Sequence, residues 1–294
     1  MSRLLLALSV FGVLLLALPA GIEVEQDGPE IQFLPMARGT LVICGGGEMS
    51  EEVLLQFVQA AGGQEARIVV VTTASETADT DEIEDDLEFW RSLQIDRLTV
   101  LHTRSRDTAN DPEFVQPLVD ATGIWFVGGR QSWLTDTYLD TIAEQRIHEL
   151  FDRGGVIGGI SAGAAVMSSV MIRNGDRQAE TGRGFGLLPG TIVDQHFLAR
   201  NRQERLMGAL AANPGMVGLG IDERAAVVVS GRRLRVIGDS DVVACLPSSS
   251  GRLARIHTMK PGAEADLVAL SRVAGKPRQR PLPFSHAITD ASAD

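Results

Sequence analysis

The chain has 294 residues, of which 44% are hydrophobic, and a formal net charge of −11. A chain of this length and composition buries a sizeable core, which excludes an intrinsically disordered protein. The acidic balance argues against nucleic acid as a partner, because phosphate backbones are bound through clustered Lys and Arg.

The N-terminus is much more apolar than the rest of the chain. Arg3 precedes an apolar run over residues 4–18, and small residues follow at 19–21. The run is shorter than the roughly 20 residues that span a bilayer, and the pattern is typical of a secretory signal peptide. We therefore predict that residues 1–21 are a signal peptide and that the protein is exported to the periplasm or the outside. An uncleaved membrane anchor is the alternative, and no other contact with a membrane is expected.

Short apolar runs then alternate with amphipathic stretches. Residues 45–47 are three glycines that follow the first run, and Ser50 caps the next helix, which Gly62 and Gly63 end. Such alternation predicts an α/β fold with a mostly parallel sheet that helices cover on both faces. Ligands bind beyond the carboxyl ends of the strands in such sheets. The predicted strands cover residues 40–44, 67–73, 98–102, 124–127 and 156–160, and the predicted helices between them include 80–93, 112–119 and 132–153.

The pattern changes after residue 171. Loops or hairpins are predicted over 172–193, a helix over 198–212 and several β-strands over 217–246. From residue 277 the chain is polar and contains proline. We predict one catalytic domain over residues 39–272, with additional strands toward the C-terminus, and a poorly ordered tail over 273–294.

Neither the cysteines nor the glycine-rich loop indicates a cofactor. Cys44 and Cys245 each lie in an apolar stretch, so buried free thiols are predicted, although the sequence leaves open whether they pair after export. No cluster of Cys and His has zinc spacing, and no metal is expected. The glycines at 45–47 lack the G-x-G-x-x-G spacing of a dinucleotide site. The acidic stretch over 79–88 is interpreted as a solvated helix face.

The segment Gly-Ile-Ser-Ala-Gly over residues 159–163 lies between the fifth predicted strand and a helix. A strand, a tight turn through serine and a helix together form a nucleophile elbow, which exposes the serine Oγ and requires small neighbours. We interpret Ser161 as the nucleophile of a serine hydrolase. The N–H of Ala162, at the start of the helix, is a candidate oxyanion donor. The alternative is a glycine-rich turn that only packs or binds phosphate.

A serine nucleophile needs a general base, and the chain has five histidines. His196 is the strongest candidate, because it follows an Asp-Gln pair, precedes an aromatic residue and leads into an arginine-rich turn. His102 ends a strand and is a candidate for the edge of a cleft. The remaining three are expected on the surface: His148, His257 and His286.

A third residue should be a carboxylate that orients the imidazole. Asp222 and Glu223 follow a glycine-rich apolar stretch, and Asp194 is the competing candidate. Arg202 and Arg205 are spaced i, i+3 and share a helix face. Because arginine binds carboxylates bidentately, this pair is expected to hold a carboxylate of the substrate or of the protein itself.

Four motifs, in this order, carry a family resemblance: Gly128-Gly129-x-Gln131, residues 159–164, Asp194-Gln195-His196-Phe197 with Arg200, Arg202 and Arg205, and residues 220–223. Together they resemble the cyanophycinase branch of the cyanophycinase/aspartyl dipeptidase family of serine peptidases, over about residues 40–246. The resemblance implies a flavodoxin-like fold similar to that of class I glutamine amidotransferases, with serine in place of their cysteine.

The resemblance also implies roles for individual residues. Ser161 would be the nucleophile, His196 the base and Glu223 the orienting acid, while Gly129 and Ala162 would supply the oxyanion N–H groups. The positions that match the family's substrate site are Gln131, Asp194, Gln195, Arg202 and Arg205. The family usually has Asp or Asn where this chain has Arg130. A positive charge there disfavours an arginine-bearing substrate unless the side chain points away.

The resulting hypothesis is a serine exopeptidase that hydrolyses aspartyl or β-aspartyl-arginine peptide material through an acyl-enzyme. No cofactor is expected, the partner is a peptide substrate, and the resemblance alone implies a homodimer. Two alternatives remain open at this point. One is an α-aspartyl dipeptidase, an esterase or another serine hydrolase on the same scaffold, and the other is an inactive exported binding protein.

Overall fold

The computed structural model describes residues 37–93, 95, 97–248, 253–275 and 288–289. The predicted signal peptide, residues 1–21, lies outside them. Within the described ranges, no helix is both long and apolar enough to cross a bilayer.

Strands and helices alternate in the first half of the described chain, and strands predominate in the second half. The strands are β1 (Ala37–Cys44), β2 (Arg67–Val71), β3 (Arg97–Leu101), β4 (Gly123–Phe126), β5 (Val156–Ile160), β6 (Val170–Asn174), β7 (Glu180–Arg183), β8 (Thr191–Gln195), β9 (Val217–Ile221), β10 (Ala225–Gly231), β11 (Arg233–Gly238), β12 (Val242–Leu246), β13 (Arg255–Met259), β14 (Glu264–Asp266) and β15 (Ile288–Thr289). The helices are α1 (Glu51–Ala60), α2 (Ile83–Ser92), α3 (Arg106–Ala109), α4 (Gln116–Asp120), α5 (Gln131–Tyr138), α6 (Ile142–Asp152), α7 (Ala162–Ala165), α8 (Gln203–Ala212) and α9 (Leu267–Ala274), and Gly63–Glu65 form a 3₁₀ turn.

The main sheet confirms the predicted α/β architecture. Its strand order among the described residues is β15-β14-β11-β10-β1-β5-β4-β2-β3. The five strands from β1 to β3 in this order are mutually parallel, and the four on the other side of β1 are antiparallel to their neighbours. A second sheet has the order β13-β12-β9-β8, and β6 pairs with β7. These are the additional strands expected toward the C-terminus.

The continuous apolar runs arise because the parallel strands are buried on both faces. In β1, Leu41 and Ile43 pack into one core cluster, whereas Val42 and Cys44 pack into another on the opposite face. Cys44 and Cys245 are both buried free thiols, as predicted. Burial raises the pKa of the Cys44 thiol well above its usual range and that of Cys245 to about 12.

The single helix predicted over residues 132–153 is wrong, because the chain forms α5 and α6 instead. Asp140 between them has a positive φ of 59°. The Thr141 hydroxyl accepts from the N–H of Glu144, and the Glu144 carboxylate accepts from the N–H of Asp140. This reciprocal arrangement resembles a capping box and starts a new helix.

The C-terminal boundary also differs from the prediction. Helix α9 continues to Ala274, beyond the expected domain end at residue 272, because Leu270, Val273 and Ala274 are buried against the core. Residues 288–289 form β15, which pairs with β14 at the edge of the main sheet. The rest of the predicted tail lies outside the described residues.

Candidate active site

The site lies where the carboxyl ends of β1, β5 and β4 meet. Three loops converge there: the glycines at 45–47 after β1, Ser161 after β5 and residues 128–131 after β4. All three were expected at this edge, because ligands of parallel sheets bind beyond the carboxyl ends of the strands.

Ser161 links β5 to α7 in a strained conformation, with φ 53° and ψ −105°. A positive φ is rare for a residue with a Cβ atom, and at functional sites such strain is held in place by the surrounding structure. Part of this restraint comes from β1, since the N–H of Ser161 donates to the carbonyl of Cys44 at 3.0 Å. The predicted strand, serine turn and helix are therefore present.

His196 lies directly beside Ser161. Its Nε2 is 2.9 Å from the Ser161 Oγ, and its Nδ1 is 2.7 Å from Oε1 of Glu223. Because a carboxylate only accepts hydrogen bonds, Nδ1 carries the proton in the neutral ring and Nε2 is left to accept from the serine. His196 has a φ of 48°, and its N–H donates to the carbonyl of Gly45 at 2.8 Å.

The imidazole of His196 is well shielded from water. Burial lowers its pKa below the ordinary value, an effect that outweighs the opposing pull of Glu223. At neutral pH the ring is therefore unprotonated, as a general base requires.

The structure distinguishes the candidate acids by what they contact. Glu223 meets the imidazole. Asp222 instead accepts from the N–H groups of Leu198 and Ala199, both at 2.9 Å, and from the Ser240 hydroxyl at 3.1 Å. Asp222 thus fixes the turn that follows His196. The third candidate, Asp194, pairs with an arginine.

The other described histidines lie apart from Ser161. His102 pairs with Asp79 at 3.0 Å and contacts Thr72. His148 lies on α6 and His257 on β13. His286 is outside the described residues.

The glycine loop after β1 forms the floor under the imidazole, a role that the sequence did not reveal. A Cβ atom at Gly46 would lie 2.2 Å from Cε1 of His196, and one at Gly47 would lie 3.0 Å from Cβ of Glu223. The Gly46 carbonyl also accepts from the N–H of Arg224 at 2.9 Å. Any side chain at Gly46 would displace the ring, so glycine is required for this close approach.

The two predicted oxyanion donors flank Ser161. Gly129 has a φ of 125°, and a Cβ there would lie 2.0 Å from the carbonyl oxygen of Ala74, so only glycine fits. Ala162 is the first residue of α7 and is buried. Within the described part of the chain, neither N–H group donates to a protein acceptor. Both are therefore free to bind an oxygen of a ligand, and their role in the reaction stays a prediction.

The residues predicted for the substrate site are mostly bonded to the protein. The amide nitrogen of Gln131 donates to the carbonyls of Ile172 and Arg173 at 3.0 and 2.9 Å. Asp194 and Arg205 form a buried bidentate ion pair. The sequence left open whether Arg202 and Arg205 hold a carboxylate of the substrate or one of the protein. Arg205 binds the carboxylate of Asp194, which belongs to the protein. Direct contact of Asp194 and Arg205 with substrate stays a prediction that this pairing does not support.

Arg202 and Gln195 adjoin that ion pair, and Gln195 directly precedes His196 in the chain. Arg202 donates to the backbone carbonyl of Gln195 at 2.7 Å and lies 3.7 Å from the Asp194 carboxylate. Burial lowers the pKa of its guanidinium to about 10, so it is still a cation at neutral pH. The Gln195 side-chain oxygen is buried without a hydrogen-bond partner in the described residues. Both side chains therefore keep polar capacity for a ligand.

Arg130, where the chain departs from the family pattern, turns toward the neighbouring loops. Its Nε donates to Glu76 at 2.6 Å, and its guanidinium lies over the Trp133 ring. No group of His, Cys, Asp and Glu in the described part of the chain is arranged to hold a metal ion.

Comparison with known proteins is consistent with this geometry. The model of peptidase family S51 matches residues 41–237. A cyanophycinase from Synechococcus elongatus is 33% identical over 223 residues, covering 71% of this chain and 69% of that protein. A cyanophycinase from a Nostoc species is 32% identical over 278 residues, covering 84% and 88%.

Two solved structures share the fold. One is a peptidase from an acI-B1 Actinobacterium, with a TM-score of 0.58 and 24% identity over 79% of this chain and 97% of that chain. The other is a putative peptidase E protein from Listeria monocytogenes, with a TM-score of 0.51 and 17% identity over 69% and 99%. With the family match and the cyanophycinase relatives, the chain belongs to peptidase family S51 and is a serine peptidase of the cyanophycinase-like type.

Proposed function

We propose that this peptidase hydrolyses aspartyl or β-aspartyl peptides, including β-aspartyl-arginine material, through a Ser161–His196–Glu223 triad. The observation that carries the proposal is the continuous hydrogen-bonded chain from the Ser161 Oγ to His196 at 2.9 Å and on to Glu223 at 2.7 Å. Nucleophile, base and orienting acid are recognised by such geometry and not by their order in a sequence.

In the acylation step, Nε2 of His196 takes the Oγ proton while Oγ attacks the scissile carbonyl carbon. The N–H groups of Gly129 and Ala162 stabilise the negative charge on the carbonyl oxygen. His196 then gives the proton to the leaving nitrogen, the C–N bond breaks, and an ester on Ser161 is left. Water, activated by the same imidazole, hydrolyses that ester and restores the free serine. Glu223 stabilises the imidazolium formed in each half of the reaction.

The substrate class is supported by the relatives and by the charges near the imidazole. The Synechococcus and Nostoc relatives are both named cyanophycinases, and the resemblance implies release of β-aspartyl-arginine from an aspartate-backbone polymer. Arg202 beside the imidazole offers a cation for a substrate carboxylate. The apolar run over residues 4–18 supports action outside the cytoplasm.

Substrate assays and covalent labelling distinguish the proposed activity from three alternatives, which are a dipeptidase, an esterase and an inactive binding protein. Assay of the pure protein on α-aspartyl dipeptides, β-aspartyl-arginine polymer and simple esters distinguishes a dipeptidase or an esterase from the proposed activity. A serine-directed phosphonate should label Ser161. Absence of that label would favour the inactive binding protein.

The direct test is Ser161→Ala. Removing the Oγ should abolish hydrolysis, because the proposed reaction forms its acyl-enzyme on that oxygen. The melting temperature should stay close to that of the wild type, since the change deletes one oxygen at a partly exposed position. Retained hydrolysis by the purified variant would disprove the assignment of the nucleophile.

A further inference from the structure

A charged cluster lies on one side of the site, beyond the Gly129 loop. Its centre is the Trp133 ring, with the Arg104 guanidinium 4.1 Å and the Arg130 guanidinium 4.9 Å from the ring centroid. Each arginine also has a carboxylate partner, Asp79 for Arg104 and Glu76 for Arg130. We call these five residues the rim cluster.

The two arginines of the rim cluster differ in how much of their hydrogen-bonding capacity is used. Arg104 donates to the carbonyls of Thr73 and Ser75 as well as to Asp79, so every nitrogen of its guanidinium has an acceptor. Arg130 donates only from Nε to Glu76. Within the described residues, its two terminal nitrogens have no acceptor. Arg130 therefore presents an unused fork of N–H groups, the geometry that binds a carboxylate bidentately.

The order of strands places the Arg130 backbone and the loop that holds His196 on opposite sides of Ser161, so in the proposed reaction Arg130 follows the strand on the acyl side. His196 is held by the loop after β1, on one side of Ser161, and must protonate the leaving nitrogen there. Arg130 follows β4 on the other side, where its N–H donates to the carbonyl of Ala74 at 2.8 Å. It is also adjacent to Gly129, whose N–H faces the scissile carbonyl oxygen in the proposed reaction.

Some of the proposed substrates carry a negative charge close to the reacting carbon, namely peptides whose acyl residue is an aspartate with a free carboxylate. In an aspartate-backbone polymer bearing arginine, that carboxylate is instead bound to arginine as an amide. In an α-aspartyl peptide and in a β-aspartyl peptide alike, a free carboxylate is separated from the scissile carbonyl carbon by two carbon atoms. We propose, on the basis of the proposed function, that Arg130 binds this carboxylate and selects substrates that have it. Arg130 is thus a specificity-determining residue, and its guanidinium is held over the Trp133 ring, 4.9 Å from the centroid.

The ion pair between Arg130 and Glu76, which a substrate carboxylate would displace, is weak. The side chain of Arg130 is 59% exposed and that of Glu76 is 63% exposed, and ion pairs this open to water contribute little to stability. Stacking on Trp133 does not use the terminal N–H groups. A substrate carboxylate can therefore add to Arg130, or replace Glu76, at small cost. The positive charge at this position, unexpected for an arginine-bearing substrate, instead matches the aspartyl part.

The test compares two substrates that differ only in charge. One is an aspartyl dipeptide with a free carboxylate on its acyl residue, and the other is its analogue with a carboxamide in place of that carboxylate. The measured quantity is the ratio of kcat/KM for the two. In Arg130→Gln this ratio should fall by about 10-fold, the scale of a lost hydrogen bond to a charged group, mainly through KM. Arg130→Lys should retain part of it.

Two further variants act as controls. Arg91→Gln removes the arginine of the Arg91–Glu84 ion pair, whose side chains are 53% and 54% exposed, similar to those of Arg130 and Glu76. Arg91 lies at the end of α2 that leads to the amino end of β3. This variant should leave the ratio unchanged. Glu76→Gln removes the competing carboxylate and should keep the ratio or raise it.

The outcomes separate this proposal from the assignment of the triad. An unchanged ratio in Arg130→Gln, or an equal loss on both substrates, would overturn the role of Arg130 while hydrolysis by the wild type and its loss in Ser161→Ala leave the triad in place. A ratio that falls in Glu76→Gln as far as in Arg130→Gln would also overturn it, because the pair would then act only as a structural unit. Hydrolysis that survives in Ser161→Ala would remove the basis of both proposals.

Discussion

The inner site consists of Ser161, His196, Glu223 and the glycine loops around them, and it adjoins the rim cluster where Gly129 precedes Arg130. The two are held by different forces. At the inner site, backbone hydrogen bonds and a glycine contact set the positions of Ser161 and His196. In the rim cluster, the Arg130–Glu76 pair is a surface ion pair over an aromatic ring. The first arrangement tolerates almost no displacement. The second can exchange one partner for another, as recognition of a charged substrate requires.

Under the two proposals, catalysis and substrate selection rest on separable parts of this site. Backbone hydrogen bonds do not depend on side-chain identity, so the inner geometry is insensitive to substitution except at the reacting groups and the glycines. Exposed side chains respond to single substitutions and to salt. Perturbing the inner site should therefore lower kcat, whereas changing the rim cluster should alter the choice of substrate.

After the loss expected from Ser161→Ala, the largest effect is expected from Glu223→Gln. The amide can present its NH₂ to the imidazole, which favours the wrong tautomer and removes the charge that stabilises the imidazolium. In the proposed triad, kcat should fall on the order of 10⁴-fold, with little change in KM. Steady-state kinetics of the purified variant measure this. A rate close to that of the wild type would rule out the orienting role of Glu223.

A smaller but still large effect is expected from Gly46→Ala. The new Cβ would need to lie 2.2 Å from the His196 ring, so the ring must move, and a displacement of about 1 Å at a reacting group can cost about 100-fold in rate. Gly208→Ala is the matched control, because a Cβ at this helical position meets nothing within 4 Å. It should keep full activity and raise stability by about 0.5–1 kcal/mol. Similar kcat values for the two variants would show that the glycine loop does not position the imidazole of His196.

The smallest effect concerns pH. Burial lowers the pKa of His196 below its ordinary value of 6.5, and the neutral ring is the base in the proposed mechanism. The acid limb of the kcat/KM profile should therefore have its midpoint below 6.5. The same shift makes the folded state less stable as the pH falls below the unfolded pKa, because the unfolded imidazole binds the proton more tightly. A midpoint above 6.5, in the profile or in an NMR titration of the ring, would contradict the dominance of burial.

Much of the fold was predictable because its signals are local. Apolar runs without alternation indicated strands buried on both faces, and the glycines and serine at their ends marked the edge where a ligand binds. The break between α5 and α6 had a local signal too, in Thr141 and the Glu144 three residues later. It was missed because the apolar spacing of the two helices is continuous across the break.

Other features depend on contacts between distant segments, which no local pattern contains. The sequence offered Asp194 and Arg205 as ligands for a substrate, and only the fold shows that they bind each other. The sequence did not indicate that Gly46 contacts His196, because the need for glycine arises from the group that a side chain at that position would meet. Arg104 follows β3 and Trp133 lies on α5 after β4, so their contact depends on the order of β2, β3 and β4 in the sheet.

The end of β1 has a consequence for when activity can arise during synthesis. Three successive carbonyls, of Cys44, Gly45 and Gly46, accept the N–H groups of Ser161, His196 and Arg224 respectively. The acceptors are made first, but their last donor comes roughly 180 residues later, so these contacts are of long range and form late. A ribosome-bound chain that has not yet extended past Arg224 has neither a complete floor nor Glu223 in place. In the proposed mechanism, the peptidase therefore becomes active only after the segment that carries Glu223 and Arg224 has been made and has folded against the loop that follows β1.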